Sequence, residues 1–164
     1  MKKLIAPLFV LFLLASAFVP AKKGSLYTSP DAAFSVVFPA SFTVDKTQGE
    51  SYVTTKIMGE ADGINYMASS TIHETDLSTT DNLEQVSLEA FAERLSGNVL
   101  STSTYKFKNI VGLKANIISE ANNMEMEYIV VIDGNIQYQF IVFTNISEYD
   151  AKAAKSFFKS ISFN

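Results

Sequence analysis

Apolar residues along this chain recur at two spacings, and the spacing divides it into strands and helices. Phe34-Ser-Val36-Val37-Phe38 is apolar and β-branched, follows a turn at Ser29-Pro30-Asp31 and is closed by Pro39, so it predicts a strand. Phe42 to Asp45 predicts a second, shorter one. Tyr52 to Met58 and Ile64 to Ile72 predict a hairpin across the turn-forming stretch Gly59 to Gly63. Its second strand places Ile64, Tyr66, Ala68 and Ile72 on one face, with Ser70 among them.

Asp81 then opens a predicted helix, with Glu84 in the capping-box position. Leu88, Phe91, Ala92 and Leu95 form its apolar stripe. Gly97-Asn98 stands where a left-handed C-cap is expected. Two further hairpins follow. Val99 to Phe107 and Val111 to Ser119 flank Lys108-Asn109-Ile110, with Gly112 near the bend. Met124 to Ile132 and Ile136 to Thr144 flank Asp133-Gly134-Asn135.

A three-residue loop in the last hairpin predicts Met126, Tyr128, Val130 and Ile132 on one face with Ile136, Tyr138, Phe140 and Val142. The opposite face mixes Ile129, Val131, Ile141 and Phe143 with Glu125, Glu127, Gln137 and Gln139, which predicts partial helical cover. A final helix starts at Ser147 as N-cap, has Glu148 and Asp150 in its first turn, and has Lys155 and Lys159 towards its end. Ala154, Phe157, Phe158 and Ile161 are its apolar contribution. The order of elements predicts class α+β: one domain over residues 22–164, with a mostly antiparallel sheet and helices packed on its faces.

The N-terminus follows a different pattern. Lys2 and Lys3 precede an uncharged apolar run from Leu4 to Leu14, broken only by Pro7. Small residues at Ala15 and Ala17 offer a signal-peptidase site, and Val19-Pro20-Ala21 offers a second. Residues 1–21 therefore read as a cleavable signal peptide. The competing reading, an uncleaved anchor, has only Leu4 to Val19 to work with, short of the about 20 residues a spanning helix needs.

With no cysteine in the 164 residues, neither a lipid anchor on a first mature Cys nor a disulfide is available. Stability must come from a packed core, and 13 Phe and 7 Tyr supply the material. The net charge of −4 becomes two units more negative once Lys2 and Lys3 are removed. Such a chain carries no electrostatic footprint for nucleic acid or for an anionic membrane surface.

Candidate chemistry is sparse. A nucleophilic triad needs a base, and the single His is His73, at a strand exit with no Cys in the chain. The nearest approach to a metal site is His73, Glu74 and Asp76, with Asp81 further on. One His with loop acids falls short of a zinc set, and the glycine-centred carboxylate loop of calcium sites is missing. Glu125 and Glu127 alternate along a strand and are expected on a solvated face. No phosphate-binding or dinucleotide-binding glycine motif occurs. Asn145-Ile146-Ser147 fits a glycosylation sequon, which Ser147 as N-cap also explains. Met58, Met67, Met124 and Met126 are expected in the core, although methionine is also common in adaptable binding grooves. No catalytic residue, metal ligand or cofactor is expected.

An ordered series of these residues resembles a known family. It comprises Tyr27-x-Ser29-Pro30-Asp31-x-x-Phe34-x-Val36-x-Phe38-Pro39, Gly63-Ile64-x-Tyr66, a helix ending at Leu95-x-Gly97, and Gly112 near a strand start. Ile136-x-Tyr138-x-Phe140 and a terminal Phe157-Phe158-Lys159-Ser160-Ile161 complete it. The series resembles the PsbP-like group, named for an extrinsic subunit of the photosystem II oxygen-evolving complex, whose fold a Ran-binding nuclear-import factor shares. The resemblance implies an α/β/α sandwich and a domain that works by binding other proteins, as in small exported bacterial members. The expected function is thus a non-enzymatic exported binding domain, periplasmic or extracellular, whose partner is another envelope or extracellular protein. Two other readings stand beside it: a carrier of a small apolar ligand, and a hydrolase with an unrecognised site.

Overall fold

The computed structural model describes residues 24–163. Residues 1–21, read above as a signal peptide, and with them the candidate cleavage residues Ala15, Ala17 and Ala21, lie outside the described residues.

Ten strands and two α-helices follow in order: β1 (Ser25–Thr28), β2 (Phe34–Phe38), β3 (Phe42–Gln48), β4 (Tyr52–Ala61), β5 (Ile64–His73), α1 (Leu83–Arg94), β6 (Asn98–Phe107), β7 (Ile110–Ser119), β8 (Met124–Asp133), β9 (Ile136–Asn145), α2 (Ala151–Lys159) and β10 (Ser162–Phe163). All strand pairs are antiparallel. The large sheet has seven strands in the order β3-β4-β5-β9-β8-β7-β6, and a small one has the order β1-β2-β10. The large sheet is two meanders joined where β5 pairs with β9, with α1 as the connection between them. This is the α+β class with a mostly antiparallel sheet that the periodicity predicts.

Both faces of the large sheet are buried over its central strands, by different means. One face, with Leu88 and Ala92 of α1 on it, buries Ala115, Ile117, Met126, Tyr128, Val130 and Ile141. The other carries Ile57, Tyr66, Ile129, Val131, Tyr138 and Phe140 beneath α2 and the small sheet. The small sheet is a layer that the periodicity does not predict. Phe34 on β2 is fully buried and sets its ring edge-on to Tyr138 and Phe140, each 5.6 Å between centroids. Burying a side chain of this type contributes about 2 kcal/mol.

The β8–β9 hairpin corrects the predicted register. Asp133 pairs with Ile136, which leaves the two-residue turn Gly134-Asn135 with Gly134 at φ 58°. Tyr128 therefore lies opposite Ile141, and Val130 opposite Gln139. The longer loop follows from requiring one face to be wholly apolar and leaving all the polar residues to the other, partly covered face. In fact each face is covered, and the two glutamines sit under α1 with partners. Gln139 Nε2 donates to the Tyr128 hydroxyl at 2.8 Å, and Gln137 Nε2 to Ser87 Oγ at 2.9 Å. Hydrogen bonding offsets the desolvation penalty of burying these two amides.

The helix ends differ as well. α1 begins at Leu83 after Asn82, which is left-handed at φ 60° and makes no side-chain cap, so Asp81 does not cap the helix. At its C-terminus the left-handed residue is Ser96, φ 49°, one position before the expected glycine. Gly97 donates to Ala92 O at 2.8 Å and Ser96 to Glu93 O at 3.0 Å, the double closure of a Schellman motif. Glycine is needed at 97 for space, since a Cβ there would meet Ile117 Cγ2 at 2.8 Å. α2 starts after Asp150, whose carboxylate accepts from Lys152 and Ala153 N–H at 2.8 and 3.3 Å, while Ser147 lies in a single 3₁₀ turn.

Candidate functional site

The sheet register gathers the four scattered methionines. Met58 on β4 pairs with Met67 on β5, and Met67 pairs with Ile141 on β9. On β8, Met126 lies opposite Phe143, and Met124 is two residues away on the same face. All of them project to the α1 side. Because α1 packs over β7 and β8, the β4–β5 end of this face is left open beside its last turn. A cleft of about 200 Å³ results, lined only by apolar side chains: the four methionines with Phe91, Leu95, Ile141 and Phe143. Met126 is in the core, as expected. Met58, Met67 and Met124 are only half-buried and form a wall of the cleft.

One wall is fixed and the other is soft. The Phe91 ring stacks on Tyr128 at 4.7 Å. The carbonyl of Leu95 accepts from Ser119 Oγ at 2.6 Å and from Asn122 Nδ2 at 2.8 Å, which ties the helix end to β7 and the loop after it. Thioether side chains opposite have three rotatable bonds each and adjust to an occupant at little cost. Burial raises the Tyr128 hydroxyl well above its usual pKa, against the opposing hydrogen bond from Gln139, so it stays neutral.

A polar cluster lies on the opposite face of the sheet. Glu127, expected on a solvated face, is 8% exposed. Its carboxylate accepts from Tyr149 Oη and is paired with Lys114 Nζ. Lys114 also stands 5.3 Å from the Phe158 ring centroid on α2. Burial, and then the hydrogen bond to the Glu127 carboxylate, push the Tyr149 hydroxyl far above its usual pKa, because ionising it would put a second anion beside the first. The cluster joins β7, β8 and the approach to α2. Both charges are matched, so it reads as structural.

The candidate chemical residues do not converge. His73 ends β5, and its ring lies 6.1 Å from Tyr52, with Nε2 buried and without a hydrogen-bond partner. Its main chain is held by Asn135, which accepts from His73 N–H at 2.9 Å and donates to His73 O at 2.6 Å. Glu74 and Asp76 are exposed, and Asp76 accepts from the main-chain N–H and hydroxyl of Ser78, which lowers its pKa. Asp81 is exposed beyond them. Among the described residues no three His, Cys, Asp or Glu side chains lie close enough to hold a metal ion, and no helix is long and apolar enough to cross a membrane.

A wider recess of about 550 Å³ runs between α2, β2 and the Asp62-Gly63 turn, and includes Tyr66, Asp150 and Ser160. Burial first, then Asp150 and Asp62, raise the Tyr66 hydroxyl above its ordinary pKa. No base or nucleophile pair is formed there.

No family model and no curated protein sequence matches the chain. Its fold is similar to the solution structure of cyanobacterial PsbP (CyanoP) from Synechocystis sp. PCC 6803, at TM-score 0.62 and 10% identity, covering 93% of this chain and 99% of that one. A protein from Bacteroides thetaiotaomicron is more distantly similar, at TM-score 0.43 and 15% identity, over 87% of this chain and 49% of that one. The chain has a PsbP-like fold.

Proposed function

We propose that the chain is a non-enzymatic binding domain, exported to the periplasm or the cell exterior, that acts by holding another protein. The methionine cleft carries this reading. It is open at the surface, and its volume of about 200 Å³ matches one large apolar side chain of a partner. Fixed Phe91 and Leu95 face pliable thioethers, a combination suited to gripping such an anchor. The PsbP-like fold supports the reading, since the family resemblance implies work through protein contacts. Export rests on Lys2, Lys3, the Leu4–Leu14 run and the small residues Ala15 and Ala17.

A photoreactive side chain at Met67, introduced in cells, tests it. The expected result is a discrete cross-linked protein in the envelope or medium, lost when Leu95→Asp places a charge in the cleft. Absence of any discrete product across growth conditions refutes the reading. N-terminal sequencing is expected to find the mature chain starting at Phe18 or Lys22, and an intact Met1 refutes export.

The wholly apolar lining also favours a second reading, a carrier of a small apolar ligand. Native mass spectrometry of freshly purified protein separates the two. An added small mass released by organic solvent supports the carrier, and a clean apo mass supports the protein-binding domain.

A further inference from the structure

The seven-stranded sheet has two edges, and they differ in how far charge protects them. β3 carries Asp45 and Lys46 at mid-strand, with Lys46 paired to Asp31 at 2.8 Å. β6 is ten residues long, pairs only with β7, and has no charged side chain from Asn98 to Tyr105. Leu100 and Val99 are 61% and 39% exposed, and Ser101 to Thr104 are exposed. A single bulge between Val99 and Ser101 interrupts its ladder, leaving Ser101 to Phe107 in unbroken register. A long exposed edge whose first eight residues are uncharged, with Lys106 its one charged side chain, is a template for a further strand, and proteins that need none usually block such an edge with charge along its length.

Beside the C-terminal half of this edge lies a groove of about 360 Å³ between the sheet and α2. Tyr105 and Phe107 of β6 and Phe158 of α2 supply apolar surface, and Lys155 and Lys159 project from α2. Lys114 is matched by Glu127, but Lys155 and Lys159 have no carboxylate partner among the described residues. Lys108, at the β6–β7 turn, stands 5.3 Å from the Phe107 ring centroid. This corner is therefore locally basic in a chain of net charge −4.

We propose that β6 accepts an extended acidic segment of another protein as an added strand, with the segment's carboxylates on the α2 side meeting Lys155 and Lys159. The main chain supplies the pairing, and the lysines select the partner and its direction. Charge complementarity decides against a second copy of this chain. Two β6 strands paired about Thr102 in an antiparallel two-fold would set Lys106 against Asn98 and bring no carboxylate to any of the lysines. The proposal rests on the protein-binding reading but uses a surface separate from the methionine cleft.

The probe is a fluorescent eight-residue peptide alternating Val with Glu, followed by polarisation on the purified protein. Binding is expected below about 100 μM at low salt, weakening at least tenfold when Glu is replaced by Lys in the peptide, or in the Lys155→Glu/Lys159→Glu protein. Backbone N-methylation at one alternate set of residues should abolish binding, and at the other set should leave it unchanged, because an added strand pairs through every second residue. Equal binding by the two methylated peptides, undiminished binding after charge reversal, or no binding below about 100 μM overturns the proposal. A β6-dependent dimer in sedimentation that excludes the peptide overturns it in favour of a second copy. Loss of the cellular cross-link in Leu95→Asp with peptide binding retained shows the cleft reading and this one to be separable.

Discussion

Tyr149 donates its hydroxyl to the carboxylate of Glu127, 22 positions earlier in the chain. The contact ties the approach to α2 to the middle of the large sheet. It also makes a buried carboxylate tolerable, because Lys114 completes its charge balance. Replacing Glu127 with Ala strands both partners and is expected to cost on the order of 2 kcal/mol. Glu127→Gln retains an acceptor for Tyr149 and should cost less. Urea unfolding of the two variants checks the order.

The same hydroxyl sets a pH dependence. The folded-state pKa values of Tyr149 and Tyr128 are both raised, chiefly by burial, so the native state holds their protons more tightly than the unfolded chain does. Stability from this source is fully present below the unfolded tyrosine pKa of about 10 and is lost as pH rises beyond it. Thermal unfolding between pH 8 and 11 should show a declining Tm, with a shallower decline in Tyr149→Phe.

Asp150 is the cap of α2, and Ser147 is not. Asp150→Ala is expected to destabilise the fold by about 1 kcal/mol, and Ser147→Ala by much less. Paired denaturant melts decide between the two positions.

Phe34 couples the small sheet to the large one. Phe34→Ala removes a fully buried ring from the contact with Tyr138 and Phe140, at an expected cost of about 3–5 kcal/mol. That is a large part of the stability of a domain this size. A drop in the urea midpoint with an unchanged slope is the expected signature.

Gly112 has no room for a side chain, since a Cβ would sit 2.3 Å from the carbonyl oxygen of Val130 on the neighbouring strand. Backbone cannot move aside as a flexible side chain would. Gly112→Ala is expected to cost more than 1 kcal/mol, and amide exchange along β7 and β8 should accelerate first.

The strands β2 to β9 and both helices follow from local periodicity, which depends only on which residues are near in sequence, whereas β10 does not. The Leu88, Phe91, Ala92 and Leu95 stripe needs no tertiary information, and it faces the sheet as its spacing requires. Nor does the leader pattern at Lys2 to Ala17. The β8–β9 register, the burial of Glu127 and the clustering of Met58, Met67, Met124 and Met126 were decided by the tertiary structure alone. A sheet covered on both faces loses the apolar–polar alternation that fixes register in a one-sided sheet. Glu127 is expected on a solvated face, with Gln137 and Gln139 beside it, because sequence shows polarity but not the partner that satisfies it. The methionine cleft exists only because β5 pairs with β9, bringing together two meanders that α1 separates in the chain.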